Sequence, residues 1–553
     1  MVDVSAGRAG KTGGAAKRPY QPVLRACAES PHLAGAMQPG NMAAPTMSSF
    51  SPNRPAAEAA SGKSERTQRI VLAGLIAGYA GLYAVLCWQR FVSFHAQIDL
   101  SYYLRQAWGL GHGRFDLPLV QAPHIIGLHL EPVMLPLALL GRLGVPLVPL
   151  LLFAQAAAVA LLAWPAWCLG RRHLGERAAL PVAAAALLYP TVTVATLHDF
   201  HPVTLALTPL LSFISELDAA FAPKTAAGGG PDPRRLRRAL LFAALALACR
   251  EDIALQLAVS LFAYAVPPLA RAAAAPDEPS AGPVRRAAAV RLALAGLAVL
   301  LVIYFLTYIV VVQPRYLPKF GSYGLHFASL GGGKGAPAVG SGRDMLLSLM
   351  RHPQAVLGLV VSAERLGYVA ALLWPVGFVA LLAPRALCGA LPILAINFLS
   401  SFPRVRTIES HYSTAMVPFI FAAAVIGGGR LRLLVRRAVG EAADAGPALA
   451  AGLLGLSVWA QIFHGGSPLA VRSARFSWDH FRDAADAAAL RAAIAQVPAA
   501  ASVAARPGAL AHLCQRPRVI SPPEYDDGQP VDVVLTADAA PTTSNRIGGV
   551  PIK

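Results

Sequence analysis

The stretch FHAQIDLSYYLRQAWGLGHGRFDLPLVQAPHIIGLHLEP, residues 94–132, joins two apolar segments and is dense in ionisable and aromatic side chains. The ionisable ones include His95, Asp99, Arg105, Asp116, His124, His129 and Glu131, and they are rimmed by Tyr102, Tyr103 and Trp108. Because such side chains are expensive to hold against a lipid bilayer, they are the first candidates for function. We therefore expect the downstream chain to be a scaffold that returns further polar groups to the same membrane face.

The composition indicates an all-α polytopic membrane protein. Of the 553 residues 55% are hydrophobic and 14% are charged, and the mean hydropathy is +0.51, which is too apolar for a soluble enzyme. The formal net charge of +19 does not predict a nucleic-acid partner, because Lys and Arg cluster in short loops between apolar segments. The cysteine spacing predicts neither a disulfide framework nor a CxxC metal site.

The order of apolar and basic segments predicts the topology. A disordered cytoplasmic tail (1–68) precedes a transmembrane domain (69–464), whose first loop (89–144) lies outside, and a small extracytoplasmic α/β region (465–553) follows. The basic residues Lys63, Arg66 and Arg69 just before the first span keep the tail cytoplasmic. Because no short apolar h-region stands near Met1, this span is expected to be an uncleaved anchor in the plasma membrane. About eleven spans are predicted, near residues 70–88, 145–169, 178–195, 203–221, two within 239–270, 292–313, 366–383, 386–402, 413–429 and 447–464.

Two apolar segments depart from the length of a simple span. Residues 131–143 number only about 13, short of the roughly 20 needed to cross, so they predict an interfacial helix. Residues 239–270 would make about 48 Å of helix, too long for one crossing of a core of about 30 Å. Both ends of that segment are basic, which implies two short spans with Arg250, Glu251 and Asp252 at the outer turn.

The predicted topology brings three further polar groups to the outer face that carries the first loop. Acids, imidazoles and an arginine that converge in this way suit a site that deprotonates an acceptor and holds a phosphate leaving group. The three groups are His198, Asp199 and His201; Arg250, Glu251 and Asp252; and Glu409, His411 and Tyr412.

Each candidate also has a purely structural interpretation. Asp99 follows His95 at the i,i+4 spacing of a local helical ion pair. His198 and His201, at i,i+3, suit metal or phosphate binding, but also helix capping and loop packing. His129 also suits the start of the interfacial helix.

The same two interpretations apply to the remaining groups. Residues 250–252 could form a buried charge pair that holds two short spans together. Glu131 could simply begin the interfacial helix. The aromatic residues of the first loop suit a membrane-interface belt as well as a sugar-stacking platform. The GGGKG sequence at 331–335 lacks the context of a phosphate-binding loop and predicts a flexible segment.

Five motifs resemble the bacterial membrane-protein family known as domain of unknown function 2079: IDLSYYLRQAW (98–108), LHLEPVMLPLALL (128–140), LLYPTVTVATLHDFHP (187–202), ALACREDIAL (246–255) and ESHYSTAMVPF (409–419). The resemblance runs from about residue 94 to 428, and the segment 494–517 is similar to the C-terminal portion of that family. Ser101 stands where a glycine is expected and Arg250 where lysine is usual. Neither difference removes a candidate acid.

That family is in turn similar in layout to the GT-C glycosyltransferases, integral membrane enzymes that use polyprenyl-phosphate sugars. The resemblance implies transfer of a sugar from a lipid-phosphate donor to a cell-envelope acceptor. It makes Asp99 the general base or a metal-binding acid, with a divalent metal ion as the one cofactor considered. It implies donor binding by His198, His201 and Arg250, oriented by Glu251 or Asp252. The other candidate substrate-binding residues are His129, Glu131, Asp199, His411 and Tyr412.

Two other function classes stay open on the sequence alone. A transporter or flippase of a lipid-linked or polar solute predicts polar groups along a path through the membrane rather than at one face. A non-catalytic membrane scaffold would use its outer region to bind envelope partners.

Overall fold

Helices make up most of the computed structural model, which describes residues 54–117, 119, 124–222, 230–267, 281–317, 342–440, 442–521, 529–535, 546–547 and 550–551. The α-helices are α1 Arg54–Val92, α2 Ile98–Gly111, α3 Met134–Arg142, α4 Leu147–Ala160, α5 Ala163–His173, α6 Ala179–Leu187, α7 Pro190–Leu197, α8 Pro202–Leu205, α9 Leu207–Ala220, α10 Pro233–Leu247, α11 Ile253–Ala265, α12 Ala281–Thr307, α13 Gln313–Tyr316, α14 Gly342–Arg351, α15 Pro353–Val360, α16 Ala363–Leu373, α17 Pro384–Leu387, α18 Leu391–Leu399, α19 Val417–Val439, α20 Gly446–His464, α21 Ala487–Ala495 and α22 Pro507–Leu513.

Within the described residues, six helical segments are long and apolar enough to cross a membrane. They are Ser64–Val92, Leu147–His173, Pro202–Ala220, Arg285–Tyr316, His411–Val439 and Gly446–His464. The pair Glu176–Leu187 and Pro190–Leu197, bent by 48°, makes a seventh if it is counted as one span. The other predicted spans coincide with shorter or interrupted helices, such as Ile253–Ala265 and Pro384–Leu399. The polytopic helical class is therefore confirmed, and the count of eleven spans stays a prediction.

The N-terminal helix is longer than the sequence predicts. α1 begins at Arg54, so its first turns lie within the stretch assigned to a disordered tail. The rest of that tail, residues 1–53, lies outside the described residues, as does the GGGKG sequence at 331–335.

The helices share one large hydrophobic core, and residues 62–553 form one compact unit. At one end of the long helices, Arg90 donates to the carbonyl of Leu197 and Tyr83 donates to that of Gly466. At the other end, basic side chains pair with acids on neighbouring segments. These pairs are Arg171 with Glu65, His173 with Asp218, and Arg432 with Asp444. The acids and histidines of the first-loop region therefore lie at the end opposite these basic residues.

The predicted break in the segment 239–270 is confirmed. α10 ends at Leu247 and α11 begins at Ile253, so residues 248–252 form a turn. The backbone N–H of Val133 donates to the carbonyl of Ala248 over 2.8 Å, which attaches the start of α3 to this turn. α3 is nine residues long, in agreement with a helix too short to span.

The C-terminal region contains strands β1 Val503–Ala505, β2 Val519–Ile520 and β3 Val533–Leu535, parallel and in the order β2-β1-β3, and a hairpin of β4 Arg546–Ile547 and β5 Val550–Pro551. α22 connects β1 to β2 and packs against the end of α1. The ring of His512 stacks on Phe91, with centroids 4.1 Å apart, and on Phe94. Arg105 of α2 donates to the carbonyl of Pro517. This region therefore covers the same end of the helices as the first loop.

Candidate functional site

Four side chains from three distant parts of the chain meet at this end: Asp99, His198, His201 and His411. One carboxylate oxygen or ring nitrogen of each lies within 4.8 Å of those of the others. Nε2 of His201 is 3.3 Å from Oδ2 of Asp99, and the rings of His201 and His411 stack with centroids 4.0 Å apart. The ring of His198 lies 5.3 Å from that of His201. We call these four residues the Asp-His cluster.

The two histidines of the HDFHP sequence belong to a break between helices. α7 ends at Leu197 and α8 begins at Pro202, because a proline fits the first turn of a helix but not its interior. His198 and His201 are therefore not one turn apart on a helical face, as their spacing predicted. They converge because the connecting residues are extended.

A fully buried amide, Gln155 of α4, holds this break in place. Its Nε2 donates to the carbonyl of Thr196 at 3.1 Å and lies 3.3 Å from that of His198. Its Oε1 accepts from the backbone N–H of His201 at 2.9 Å and from the hydroxyl of Thr204 at 2.7 Å. One side chain in an apolar helix thereby satisfies backbone groups that helix termini leave unpaired. Gln155 fixes the conformation that presents both histidines.

Asp199 positions the catalytic candidate rather than joining the Asp-His cluster. Its two carboxylate oxygens accept from the backbone N–H groups of Gln97, at 3.1 Å, and Leu100, at 3.0 Å. These groups open α2, where a negative charge is stabilised by the unpaired N–H groups and the helix dipole. Asp99 is in the first turn of that helix, so Asp199 fixes its place relative to His201. The geometry thus favours a positioning role for Asp199 over substrate binding.

His411 begins a short 3-10 helix, His411–Met416, immediately before α19. Ser410 caps this helix by accepting from the backbone N–H of Tyr412, whose ring contacts that of His411 at 4.1 Å. The neighbouring Glu409 faces elsewhere: it binds His464 at 2.8 Å and Arg475 at 3.0 Å. Tyr412 therefore lies beside the Asp-His cluster, whereas Glu409 ties the ends of two segments together.

Burial and neighbouring charges have opposite effects on the pKa values of Asp99 and His201 in the Asp-His cluster. Burial disfavours the carboxylate of Asp99, but the adjacent imidazole of His201 outweighs it and lowers the pKa of Asp99 below its ordinary range. Burial likewise disfavours the charged form of His201, but Asp99 raises its pKa. Burial, aided by His201, lowers the pKa of His198 to about 4. Asp99 and His201 therefore each stabilise the charged form of the other.

A second group of polar residues lies where residues 129–132 (HLEP) contact the turn between α10 and α11. Nδ1 of His129 is 2.9 Å from Oε1 of Glu251, and Oε2 of Glu251 accepts from the backbone N–H of Leu130, also at 2.9 Å. Burial opposes both charges, but each partner stabilises the other, so the pKa of His129 is raised and that of Glu251 is lowered. Glu131 accepts a bond of 3.3 Å from Gln106, and burial raises the pKa of its carboxyl to about 7.

Arg250 and Asp252 form a bidentate ion pair in the same turn. Nε and Nη2 of the guanidinium donate to the two carboxylate oxygens over 2.8 and 2.6 Å, and the side chains are 12% and 6% exposed. Breaking such a pair leaves an uncompensated charge in a poorly solvated place. The pair therefore has the geometry of a structural staple, although it also fixes the orientation of the arginine.

Tyr103 lies between the two groups of polar residues. Its ring meets those of Phe200 and His201 edge-on, with centroids 5.6 Å apart in each case, and only 8% of the residue is exposed. Its hydroxyl is within electrostatic range of Glu131 and Asp99. Tyr103 therefore belongs neither to a membrane-interface belt nor to an open stacking platform. Trp108 instead lines a cleft of about 270 Å³ beside α3.

The structure also rejects the local ion pair of His95 and Asp99. α2 begins at Ile98, so the two residues do not share a helix. Nε2 of His95 contacts the carbonyl of Arg482 at 3.1 Å, whereas Asp99 faces His201.

Sequence reasoning missed three residues that hold the site together: Gln155, Arg90 and Gln106. Arg90 is 8% exposed, and it donates to the carbonyls of Leu197 and His95. A signal was present for Gln155, because a polar residue inside an apolar span is uncommon and is often functional.

The chain matches a protein family and is similar to solved structures. The family model described as predicted membrane protein (DUF2079) matches residues 90–547. No curated protein matches the chain. Among solved structures, the chain is similar to ArnT from Cupriavidus metallidurans bound to undecaprenyl phosphate, with 13% identity, a TM-score of 0.40, and coverage of 81% of this chain and 86% of that one. It is also similar to the Archaeoglobus fulgidus oligosaccharyltransferase in complex with Zn and sulfate, with 14% identity, a TM-score of 0.34, and coverage of 80% of this chain and 62% of that one.

Proposed function

The chain belongs to the predicted membrane protein family DUF2079, and from that premise we propose that it is a GT-C-like glycosyltransferase. It takes a sugar from a lipid-phosphate donor at the outer membrane face and passes it to a cell-envelope acceptor. The observation that carries the proposal is the Asp-His cluster at the ends of the apolar helices, with a second group of acids and an arginine next to it.

Sugar transfer from a lipid phosphate makes two demands. The acceptor hydroxyl loses its proton to a base as its oxygen bonds to the anomeric carbon. The bond from that carbon to the phosphate oxygen breaks, and the lipid phosphate leaves with a negative charge that needs compensation. Asp99 meets the first demand, because its carboxylate is kept ionised and is 38% exposed. It takes the proton directly or holds a cation that acidifies the hydroxyl.

Positive groups beside Asp99 meet the second demand. His201 faces Asp99 with His198 beside it, and a proton or a cation held between His201 and Asp99 offsets that negative charge. Asp252 holds the guanidinium of Arg250 in a fixed orientation, as a phosphate-binding arginine requires. Glu251 orients His129 at the rim of the same region.

We assign the basic end of the helices, with Arg171 and Arg432, to the cytoplasm by the positive-inside rule. The Asp-His cluster and the C-terminal region then face outwards, with the N-terminus cytoplasmic and about eleven crossings. A lipid-linked donor reaches such a site laterally from the membrane, with its phosphate at the level of the interface. This placement matches a donor that is itself a membrane lipid.

A transporter would instead need polar groups along a path between the helices. The buried amides Gln155, Gln256 and Gln461 are each engaged by backbone or side-chain partners within the helix packing. This observation favours transfer at one end over passage through the protein.

The experiment compares lipid extracts by mass spectrometry from a strain lacking the gene, complemented with wild type or with Asp99→Asn. We expect the deletion to accumulate a polyprenyl-phosphate sugar, wild type to remove it, and Asp99→Asn to leave it although the protein is inserted at normal abundance. Asp479→Asn, at a side chain that is 80% exposed, is the matched control and should behave as wild type.

Two results contradict the proposal. One is full removal of the lipid by Asp99→Asn, which would exclude a catalytic role for this carboxylate. The other is a deletion strain whose lipid-linked sugars are unchanged in amount but are displaced between the membrane leaflets, which would establish transport instead.

A further inference from the structure

The contact between His201 and Asp99 needs a positive charge between its two atoms. Nδ1 of His201 lies 2.8 Å from the carbonyl oxygen of Asp199, and since a carbonyl only accepts, Nδ1 carries a hydrogen. In a neutral imidazole, Nε2 then directs a lone pair at Oδ2 of Asp99, 3.3 Å away. Two facing lone pairs repel. Either a second proton or a bound cation therefore belongs in this position.

The length of this contact separates the two possibilities. A charge-assisted hydrogen bond from nitrogen to a carboxylate is about 2.7–2.9 Å long, whereas donors placed tetrahedrally about 2.0–2.2 Å from a metal are roughly 3.3–3.6 Å from one another. The other histidine–carboxylate contacts of the chain have the length of hydrogen bonds: His464 with Glu409 at 2.8 Å, His129 with Glu251 at 2.9 Å, and His173 with Asp218 at 3.0 Å. Only the contact of His201 with Asp99, among these four, has the separation of two metal ligands.

Two more nitrogen donors complete the set. His198 and His411 each place a ring nitrogen within 4.8 Å of the donor atoms of Asp99 and His201. Nδ1 of His198 is buried and has no hydrogen-bond partner within the described part of the chain. A buried nitrogen left unpaired is destabilising, and a bound cation gives it a partner.

We propose that Asp99, His198, His201 and His411 bind one Zn²⁺ ion or a closely similar first-row divalent cation. Three imidazoles and one carboxylate are the donor set that Zn²⁺ accepts in tetrahedral coordination. Mg²⁺ and Ca²⁺ take oxygen ligands almost exclusively and are excluded by the same chemistry. The proposal concerns binding and is independent of the glycosyltransferase function.

The surroundings have the features of a metal site. The bond from Nδ1 of His201 to a backbone carbonyl fixes the ring so that Nε2 faces the centre, which is the usual outer support of a metal-bound histidine. His201 is 5% exposed in its side chain and Asp99 is 38% exposed. The carboxylate is therefore the ligand that a substrate oxygen can displace, leaving the three imidazoles to hold the ion.

Zinc content and affinity test the proposal. The full chain is purified in detergent with a tag free of histidine, stripped with a chelator and incubated with Zn²⁺, and bound metal is counted by inductively coupled plasma mass spectrometry. Affinity is measured by competition with a chromogenic chelator. We expect one Zn²⁺ per chain, a rise in melting temperature on adding Zn²⁺, since a ligand of the folded state stabilises it, and no displacement by millimolar Mg²⁺.

Single substitutions test which residues bind the ion. His411→Gln and His201→Gln should each weaken Zn²⁺ binding at least about tenfold, because even outer-sphere substitutions at metal sites cost 10–100-fold. The matched control is His464→Gln, which removes a histidine from a carboxylate pair that no other imidazole joins. It should bind as wild type. Size-exclusion profiles show which variants fold. Asp99→Asn is a further cluster variant, and it changes the shape of the side chain very little.

Any of three results overturns the proposal. They are a folded wild type that takes up no Zn²⁺, a cluster variant that binds as tightly as wild type, and a loss in His464→Gln equal to that in His411→Gln. None of these measurements uses a sugar donor. Failure of the metal proposal is therefore distinguishable from failure of the glycosyltransferase proposal, which the lipid analysis addresses.

Discussion

Replacing Glu131 by glutamine should remove a pH-dependent weakness of the fold. Burial raises the pKa of Glu131 from its ordinary value of 4.5 to about 7. Its Oε2 accepts one bond of 3.3 Å from Gln106, and its Oε1 is buried without a partner within the described residues. The protein therefore holds the neutral acid more easily than the carboxylate. Glutamine keeps the shape and the acceptor without the charge.

The direction and size of this pH effect on stability follow from the different pKa of Glu131 in the folded and unfolded states. Between pH 4.5 and pH 7 the folded protein holds the proton of Glu131 and the unfolded chain releases it, so stability falls as the pH rises. The stabilisation is complete below pH 4.5 and is lost as the pH passes about 7. At 1.36 kcal/mol per pH unit, the loss is about 3 kcal/mol. Glu131→Gln should thus match wild type near pH 5 and exceed it in stability at pH 8.

The assay is thermal unfolding in detergent, followed by intrinsic fluorescence at pH 5 and pH 8, with the difference between variant and wild type taken at each pH. That difference cancels the contributions of titrating groups that do not interact with Glu131. Glu176→Gln, at an exposed position, controls for the loss of one acid. An equal difference in melting temperature at both pH values would refute the reasoning and place Glu131 in a well-solvated environment.

Two further predictions concern topology and the turn between α10 and α11. Reporter fusions after Gly175, next to the basic end, and after Gly466, whose carbonyl accepts from Tyr83 at the other end, should report opposite sides of the membrane, and a common side would exclude the assigned orientation. Arg250→Gln should cost about 3–5 kcal/mol, since it strands Asp252, and should lower both melting temperature and expression. A melting temperature equal to that of wild type would contradict a structural role for this ion pair.

The helical class and the candidate polar residues were predicted from the sequence for the same reason. Long apolar runs must be helical in a membrane, and polar residues at their ends stand out against them. Asp99, His201 and His411 were found in this way although they lie far apart in the chain. The break at residues 248–252 followed from the length of its segment and from the basic residues at both ends.

The contacts within the site could not be predicted in this way. The spacing of His95 and Asp99 indicated a helical pair, but spacing does not reveal where a helix begins, and α2 begins between them. Asp199 is adjacent to two cluster histidines, yet its carboxylate caps another helix. Partners of this kind depend on which helix ends meet, and that is a tertiary property.

Gln155 and Asp199 explain why the cluster forms only in the packed structure. Gln155, on α4, fixes the break that carries His201, and Asp199, within that break, fixes the helix start that carries Asp99. Asp99 and His201 are thus each placed by a residue of another segment, and both supports are buried. Since neither support touches the centre of the cluster, its geometry is imposed by helix packing before any ligand arrives. Such preorganisation is required of a site that must bring an acid and three imidazoles to one point.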